Sequence, residues 1–486
     1  MCSYARPIRR RRFLSGVVRG AGSLCILANA RSAWAAQANE KLNVALVGVG
    51  GRGEWFVDTV PKLENVAALC DVNAKKTEGA LLRWQTLAQR FENSPNEWER
   101  RAAAAYRRAL SARPRVFRDF RVMLEEMGTG VDAVVVATPD HTHAVVSAAA
   151  IRAGKGVFCE KPLTRTVHES RALRQLARGH KVATAMGNQG TYSGPFRRAL
   201  ELIRNGTLGE IKEVHVWNDA GGADHKELPK GEPPVPEGLD WDLWLGPAAK
   251  RPYHGEWMNR HLWREFGTCQ LGNWGSHSAN LGFMALRVQD LWLIEKPMEQ
   301  RPIIRVEAKH SGINRLSFPR WEQVEWRIPA RGALPPITIT WHNGNAPGMQ
   351  QLRTRFMADA ADADRGAWLF AGTLIVGTQG SIHTTGHNMW FRLLPEEKFE
   401  HLQRSRPETV ESSRDAEQEF FAACRGGRAP WSNFDYADAL NEFLMLGNVA
   451  TQFESEILFD PLAMRILNNP DADALLRSEY RQGWSL

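Results

Sequence analysis

The chain has 486 residues, of which 43% are hydrophobic and 24% are charged, and its formal net charge is +8. Residues 1–35 hold seven arginines and no acidic residue, so the rest of the chain carries only +1. This balance excludes a basic surface for nucleic acid, and no apolar run after residue 35 is long enough to span a membrane. The cysteines show no paired metal-ligand spacing, and no metal is predicted.

Residues 1–35 have the pattern of a twin-arginine export signal. Arg10-Arg11-Arg12-Phe13-Leu14 is followed by an uncharged stretch over 20–30 and then by Ala33-Trp34-Ala35, a small-x-small cleavage pattern. We predict a signal peptide over 1–35, the twin-arginine translocase as a transient partner, and a periplasmic or otherwise exported location. Because this translocase carries folded proteins, a cofactor can be bound before export.

Residues 36–186 alternate short apolar strands with helical patterns. The predicted strands are Leu42–Val47, Val66–Cys70, Ala133–Ala137, Gly156–Cys159 and Lys181–Met186, and the predicted helices cover 51–60, 74–91, 120–127, 144–153 and 166–178. Ala133–Ala137 is apolar on both faces, as expected of a central parallel strand with helices on both sides. The alternation predicts an α/β Rossmann domain over 36–186, built on a doubly wound parallel sheet. The charged stretch Asn93–Arg115 has helical composition and is expected at the edge of this domain.

The first predicted strand leads into a glycine-rich turn with G-x-G-x-x-G spacing. Such glycines allow a tight turn and let the backbone approach a pyrophosphate at a helix N-terminus. The second strand ends in Asp71, 18 residues past Gly53, where a carboxylate accepts hydrogen bonds from ribose hydroxyls and repels a 2′-phosphate. The pattern predicts an NAD site and disfavours NADP. Its predicted residues are Gly48, Gly50, Gly51, Arg52, Gly53 and Asp71.

Two more loops follow the carboxyl ends of predicted parallel strands, where ligands bind in open α/β sheets. They read Ala137-Thr138-Pro139-Asp140-His141-Thr142-His143 and Cys159-Glu160-Lys161-Pro162-Leu163. Thr138, Pro139 and His143 are predicted to bind the cofactor. Lys161 is predicted to be catalytic, because a lysine here can donate a proton to a carbonyl or hydroxyl oxygen or polarise it. The alternative is a surface lysine ahead of a loop proline.

After residue 187 strand patterns follow one another with few helices between them. The strands are predicted at Ile211–Trp217, Ile303–Lys309, Gln323–Ile328, Ile337–His342 and Leu374–Val376. They indicate an α+β domain over 187–486 with a large open, mainly antiparallel sheet, used for substrate binding and oligomerisation. A late helix is predicted over Tyr436–Phe453, and the end of the chain is expected to pack back onto the domain.

The glycine-rich turn, the A-T-P-D-H-T-H segment and the E-K-P loop together resemble the glucose–fructose oxidoreductase, inositol dehydrogenase and rhizopine-catabolism (Gfo/Idh/MocA) family. Segments 187–190, 241–247 and 432–436 resemble an exported bacterial branch of it. The resemblance implies hydride exchange between NAD and a secondary alcohol of a sugar or polyol, and sheets that pair between subunits, hence a homo-oligomer. It also implies that Glu160 contacts the nicotinamide side of the cofactor and that Lys161 lies beside the reacting carbon.

The family's other catalytic element is an aspartate followed four residues later by a histidine. The corresponding residues here are Asn273 and His277, so an amide replaces the aspartate. His277 is predicted to be the general acid/base, with Asn273 positioning the substrate or the imidazole. Asn273, His277 and Asn280 would share one face of a helix over Trp274–Leu286. Alternatively, Asn273 is a helix N-cap, His277 is structural, and Lys161 alone handles the proton.

The substrate is predicted to be a small carbohydrate. Seven of the 18 tryptophans lie between residues 217 and 292, and aromatic faces with polar tips suit sugar rings. The predicted substrate-binding residues are Asn188, Gln189, Tyr192, Tyr253, Asn273 and His277.

Export constrains the chemistry, because no free NAD pool is expected outside the cytoplasm. The leading hypothesis is an oxidoreductase that retains its cofactor and moves a hydride between NAD and a secondary hydroxyl. A redox-neutral glycosidase acting by oxidation and elimination, an epimerase and an ordinary dehydrogenase remain open. So does a non-catalytic dinucleotide-holding protein.

Overall fold

The structure, a computed structural model, describes residues 41–293, 295–358, 370–404, 406–412 and 414–486. The export signal predicted over 1–35 lies outside the described residues. No helix in the described ranges combines the length and the apolar character that a bilayer crossing needs.

The first sheet has six strands, all paired in parallel, in the order β3-β2-β1-β4-β5-β6. The strands are β1 (Asn43–Val47), β2 (Asn65–Cys70), β3 (Arg115–Phe117), β4 (Ala133–Val136), β5 (Gly156–Cys159) and β6 (Thr184–Met186). The helices around it are Gly53–Leu63, Ala74–Arg90, Glu97–Ser111, Phe120–Met127, Asp140–Arg152 and Val167–His180. Strand order reverses between β1 and β4, and ligands bind at such a switch point, outside the carboxyl ends of the strands. The predicted Rossmann fold is confirmed.

The inserted stretch after residue 93 contains the helix Glu97–Ser111, which packs against the helices Gly53–Leu63 and Ala74–Arg90 through its alanine face and Tyr106. It leads into β3, which adds the outermost strand of the sheet beside β2. The sequence did not predict β3, because only Phe117 of its three residues is buried.

The second sheet has nine strands in the order β13-β12-β11-β7-β10-β9-β8-β14-β15. They are β7 (Ile211–Asn218), β8 (Ile304–His310), β9 (Glu322–Ile328), β10 (Ile337–Asn343), β11 (Ala371–Gly377), β12 (Ser381–Thr385), β13 (Phe391–Leu394), β14 (Ile457–Asp460) and β15 (Arg465–Ile466). The pair β7–β10 is parallel and the other pairs are antiparallel, which confirms the predicted mainly antiparallel sheet.

The helical segments of the second half cover this sheet and connect it to the first. The α-helices are Gly194–Arg204, Trp241–Leu245, Ser276–Ser278, Asn280–Ala285, Met349–Ala358, Glu396–Phe399, Ala416–Cys424, Phe434–Ala450 and Pro470–Ala474. A π-helical turn, Leu271–Gly275, precedes Ser276. Short 3-10 turns cover Gly128–Gly130, Gln189–Tyr192, Gly255–Met258, Arg260–Leu262, Val288–Trp292, Met298–Gln300 and Glu400–Leu402.

A buried charge cluster joins the Rossmann helix Val167–His180 to the helix Phe434–Ala450. The Nε and Nη2 atoms of Arg171 donate to the two carboxylate oxygens of Glu442, at 2.7 and 2.9 Å. Arg174 Nε lies 3.0 Å from a carboxylate oxygen of Asp438. Glu442 and Asp438 are fully buried. The cluster therefore fixes the segment that follows β5 against the second half of the chain.

Candidate functional site: a nucleotide groove with a buried lysine

The glycine-rich turn is shaped for close backbone approach. Gly48 has φ +81°, and a Cβ on it would lie 2.6 Å from the carbonyl oxygen of Ala137. A Cβ on Gly53 would lie 2.0 Å from the carbonyl oxygen of Gly48. Both positions therefore exclude any side chain. The helix Gly53–Leu63 begins here, so its free N–H groups lie at the carboxyl end of β1.

Asp71 lies beside this turn, directly after β2. One carboxylate oxygen accepts the backbone N–H of Val49 at 3.0 Å, and the other accepts that of Asn73 at 2.9 Å. Burial raises the pKa of Asp71, while these N–H groups and Lys76 favour the charged form. Because a carboxylate oxygen can accept more than one hydrogen bond, Asp71 still has capacity for ribose hydroxyls.

The turn and Asp71 open into a cavity of about 440 Å³ that runs to the end of β5. The predicted cofactor residues Gly48, Gly50, Gly51, Arg52, Asp71, Thr138, Pro139, His143, Glu160 and Lys161 all line it. Gly53 does not line the cavity and packs against the carbonyl group of Gly48. The second half of the chain contributes Leu239, Leu243, Trp244, Met258, Arg260, His261, Asn273 and Trp484 to the same lining.

Lys161 lies at the β5 end of this cavity, and its Nζ donates to Oδ1 of Asn273 at 2.5 Å. Burial lowers the pKa of Lys161; Glu160 and Asp140 oppose this effect, and Arg52 and Arg260 add to it. The amide of Asn273 is uncharged. Its oxygen therefore accepts this hydrogen bond without stabilising the ammonium form of Lys161 as a carboxylate would. The Lys161–Pro162 peptide bond is cis.

Glu160 is buried beside the lysine and is held from two directions. Its Oε1 accepts from Arg52 Nε at 2.7 Å, and its Oε2 accepts from the backbone N–H of Lys161 at 3.2 Å. A Cβ on Gly187 would lie 2.7 Å from this carboxylate, so only glycine leaves room for it there. Arg52 thus connects the glycine-rich turn to the E-K-P loop.

His143 connects the two loops that follow β4 and β5. Its Nδ1 is 2.7 Å from the carbonyl oxygen of Pro162, and its Nε2 is 2.9 Å from that of Thr138. Burial disfavours a charged imidazole, but Cys159, Asp140 and the carbonyl of Pro162 raise the pKa of His143 to about 9. The ring is therefore an imidazolium that donates to both loops.

His277 lies among aromatic rings close to Lys161. Its ring centroid is 4.5 Å from that of His387 and 6.4 Å from that of Trp274. Burial lowers the pKa of His277 well below its usual value, and Lys161, His387 and Arg52 lower it further. Its Nδ1 is buried and has no hydrogen-bond partner among the described residues. His277 is therefore neutral, and its surroundings disfavour the protonated form.

The helix predicted over Trp274–Leu286 begins instead with the π-helical turn Leu271–Gly275. Asn273 reaches Lys161, whereas the side chain of Asn280 bonds to Thr191 and Tyr436. Asn273 therefore faces the groove and Asn280 the interior, so the two do not share one helix face as predicted.

Five of the six predicted substrate residues do not line the groove cavity: His277, described above, and the four that follow. Tyr192 is buried, and its hydroxyl lies 2.5 Å from Ser432 Oγ. Tyr253 packs edge-on against Trp241, and Gln189 begins a 3-10 turn. Asn188 is fully buried, and its two amide atoms have no hydrogen-bond partner in the described ranges. Their predicted substrate-binding roles remain predictions.

Sequence reasoning missed several residues that the fold brings here. Asp140 accepts from Thr268 Oγ1 at 2.9 Å and lies near Arg260, His143 and Lys161, which together lower its pKa despite burial. His387 comes from the β12–β13 turn. Asp140 lies within the motif that pointed to the site, and that motif could have singled it out. His387 gave no local signal.

The residues present fit a dinucleotide. The turn has no room for side chains where a pyrophosphate would bind, and Asp71 stands at the place that receives a ribose. The fold and groove define a Rossmann-type dinucleotide-binding protein with a second, open-sheet domain.

Residues 42–188 match the family model GFO_IDH_MocA, described as an oxidoreductase family with an NAD-binding Rossmann fold. Over this segment the chain is therefore similar to the NAD-binding Rossmann domain of that oxidoreductase family.

Sequence relatives are oxidoreductases as well. An uncharacterised oxidoreductase of Schizosaccharomyces pombe is 33% identical over 148 residues, which is 30% of this chain and 40% of the relative. Inositol 2-dehydrogenase 1 of Saccharopolyspora erythraea is 36% identical over 103 residues, covering 21% of this chain and 30% of that enzyme. The chain thus spans less than half the length of either relative.

The similarity of fold extends further than that of sequence. An aldose–aldose oxidoreductase from Caulobacter crescentus, solved with glycerol, superimposes with a TM-score of 0.52 at 14% identity, covering 86% of this chain and 99% of that one. The likeness in fold therefore extends over both sheets of this chain.

Proposed function

We propose that the protein is an NAD-dependent oxidoreductase acting on a secondary hydroxyl of a sugar, polyol or sugar derivative, with the cofactor retained through the catalytic cycle. The observation that carries this proposal is the continuity of the groove. One cavity runs from the glycine-rich turn and Asp71 to the buried amine of Lys161. The sequence relative that is an inositol 2-dehydrogenase supports a polyol-type substrate.

Bound NAD supplies the hydride acceptor. The chain's own residues hold the alcohol and move its proton: Lys161 binds the hydroxyl oxygen and accepts the proton as the carbonyl forms. The lowered pKa of Lys161 favours the neutral amine that this role requires. Asn273 holds the amine in place. His277 is the proposed general acid/base beside it, and its lowered pKa means that a proton reaching it is passed on rather than held.

Export and assembly belong to the same proposal. The pattern of residues 1–35 supports passage through the twin-arginine translocase to the periplasm, and retention follows from the lack of a free cofactor there. A homo-oligomer formed through the open sheet completes it. Cell fractionation and light scattering of the purified protein test location and assembly.

The decisive experiment is to denature the purified protein and identify the small molecules that it releases by absorbance and mass spectrometry. Stoichiometric NAD or NADH is expected. An empty protein that binds added NAD weakly would overturn retention and leave an ordinary dehydrogenase. A protein that binds no NAD at all would overturn the whole proposal.

A second activity, redox-neutral glycoside cleavage, is favoured by one specific feature. Besides Lys161, the site holds the imidazoles of His277 and His387, whose pKa values burial lowers. Elimination needs one base for the hydroxyl proton and another for the C–H proton beside the oxidised carbon. Two results together would establish this activity: release of the aryl group from an aryl glycoside without added cofactor, and uptake of solvent deuterium at the carbon next to the oxidised one. Sugar oxidation without such release would exclude it.

A further inference from the structure

The last described residues of the chain reach the nucleotide groove. We refer to residues 480–486 as the tail segment. Trp484 of this segment lines the same cavity as Asp71 and the glycine-rich turn. Its ring packs on Phe120 at a centroid distance of 6.0 Å, and the guanidinium of Arg121 lies 4.4 Å from the ring centre.

The sheet topology shows which end of the groove Trp484 occupies. Phe120 begins the helix that follows β3, and the backbone N–H of Asp71 donates to the carbonyl of Phe117, the last residue of β3. Trp484 therefore stands on the β2–β3 side of the groove. Lys161 stands at the end of β5, beyond β1 and β4 in the strand order. The two residues mark opposite ends of one cavity.

Arg481 holds the tail segment in this position. Its Nε donates to the carbonyl oxygen of Gly246 at 2.5 Å, and its Nη1 and Nη2 donate to the carboxylate of Asp242 at 2.7 and 3.1 Å. Its Nη2 also donates to the carbonyl oxygen of Asp242 at 2.6 Å. The side chain of Arg481 is only 11% exposed, and these bonds fix the backbone three residues before Trp484.

Residues 238–246, which accept the hydrogen bonds of Arg481, are themselves hydrogen-bonded to the groove. The backbone N–H of Ala74 donates to the carbonyl of Gly238 at 2.9 Å, and that of Asp240 donates to the carbonyl of Val72 at 2.9 Å. Leu243 of the same segment lines the cavity. Hydrogen bonds thus join residues 72–74, residues 238–246 and the tail segment into one wall of the groove.

We propose that Trp484 forms the apolar face against which the adenine base of NAD binds, with Arg481 as the positioning residue that holds it there. The inference rests on the proposed function, because it takes NAD as the occupant. With pyrophosphate at the glycine-rich turn and ribose at Asp71, the base lies beyond Asp71, on the β2–β3 side. A flat heteroaromatic base is recognised by aromatic side chains, and Phe120 and Trp484 provide them at that end.

The test compares binding of AMP, nicotinamide mononucleotide and NAD to nucleotide-free protein by isothermal titration calorimetry. In Trp484→Ala, affinities for AMP and NAD should both fall roughly tenfold, with affinity for nicotinamide mononucleotide unchanged. Trp484→Phe should retain most of the affinity for AMP. Arg481→Met, which leaves the ring intact but releases the segment, should weaken AMP binding as well.

Trp98→Ala is the matched control, because Trp98 also pairs with a cation, Lys62 at 4.8 Å, but does not line the groove. It should bind all three probes like the wild type. The inference is overturned if Trp484→Ala binds AMP within about twofold of wild type. It is also overturned if AMP and nicotinamide mononucleotide weaken equally, which would indicate general loosening. Wild-type protein that bound neither AMP nor NAD would instead overturn the proposed function, and this inference with it.

Discussion

The amide of Asn273 gives Lys161 a neutral partner. In the Gfo/Idh/MocA family, which the sequence resembles, the corresponding residue is an aspartate. In Asn273→Asp, the new carboxylate would stabilise the ammonium form and raise the pKa of Lys161. Because amine-reactive reagents attack the neutral form, the pH midpoint for labelling Lys161 should move upward. Mass spectrometry of the labelled peptide measures this midpoint. Asn273→Ser, which adds no charge, is the control; equal midpoints in all three proteins would contradict the interpretation.

The double contact of His143 predicts a pH-dependent contribution to stability. Its pKa is raised from 6.5 to about 9 in the folded protein, so the imidazolium stabilises the fold below pH 6.5. This contribution, about 3 kcal/mol at most, is lost as the pH rises through 9. His143→Gln should therefore be less stable than wild type at low pH, and the difference should shrink at high pH. Urea unfolding across this range measures it.

The exposed His401 provides a comparison for that experiment. His401→Gln should follow the wild-type stability curve at every pH. A difference between His143→Gln and wild type that stayed constant with pH would show that the ring of His143 is not charged in the folded protein.

Among larger elements, the β12–β13 turn brings His387 to His277, and Gly190 sets how closely it approaches. A Cβ on residue 190 would lie 2.0 Å from the carbonyl oxygen of His387. Gly190→Ala should push this turn away and lower the free energy of unfolding by about 1–3 kcal/mol. Thermal unfolding measures the loss.

Gly179→Ala is the control for this substitution. Gly179 is exposed on the helix Val167–His180, and its Cβ would meet nothing within 4 Å. Alanine there should be neutral or stabilising by up to about 1 kcal/mol. Equal stability of Gly190→Ala and wild type would mean that the β12–β13 turn yields without cost.

The elements that the sequence predicted well are those whose signal is local. Asn43–Val47 and Ala133–Val136 are apolar runs with abrupt ends, and both lie within one residue of their predicted bounds. The π-helical turn Leu271–Gly275 has no such local signal. A π-helix is defined by which carbonyl each backbone N–H bonds to, and composition does not determine this. The short strands β12 to β15 were missed because they are defined by their pairing partners.

The same contrast applies to the groove. The glycine-rich turn, Asp71 and Lys161 follow strand ends, and the parallel sheet brings strand ends together, so one motif predicts several neighbours. His387 and Trp484 reach the site through contacts between distant segments, and a single sequence does not encode these as a pattern.

Across the whole molecule, the buried cluster around Arg171 should matter more than its exposed neighbours. Arg171→Met would leave the buried carboxylate of Glu442 without its ion-pair partner, at a cost of about 3–5 kcal/mol of stability. Arg178→Met is the matched control, because Arg178 pairs with Asp435 across the same two helices but is half exposed. It should cost about 1 kcal/mol or less. Chemical denaturation compares the two; equal losses would contradict the importance of burial.

The fact that Gly48 and Trp484 line the same groove has a consequence for the order of events during synthesis. The ribosome releases the glycine-rich turn early and Trp484 only after more than four hundred further residues, so a growing chain cannot yet enclose a nucleotide. Cofactor loading therefore becomes a late, post-translational step. Under the export of the folded protein that we propose, the interval between completion of the chain and its export is then the time in which the cofactor can be acquired.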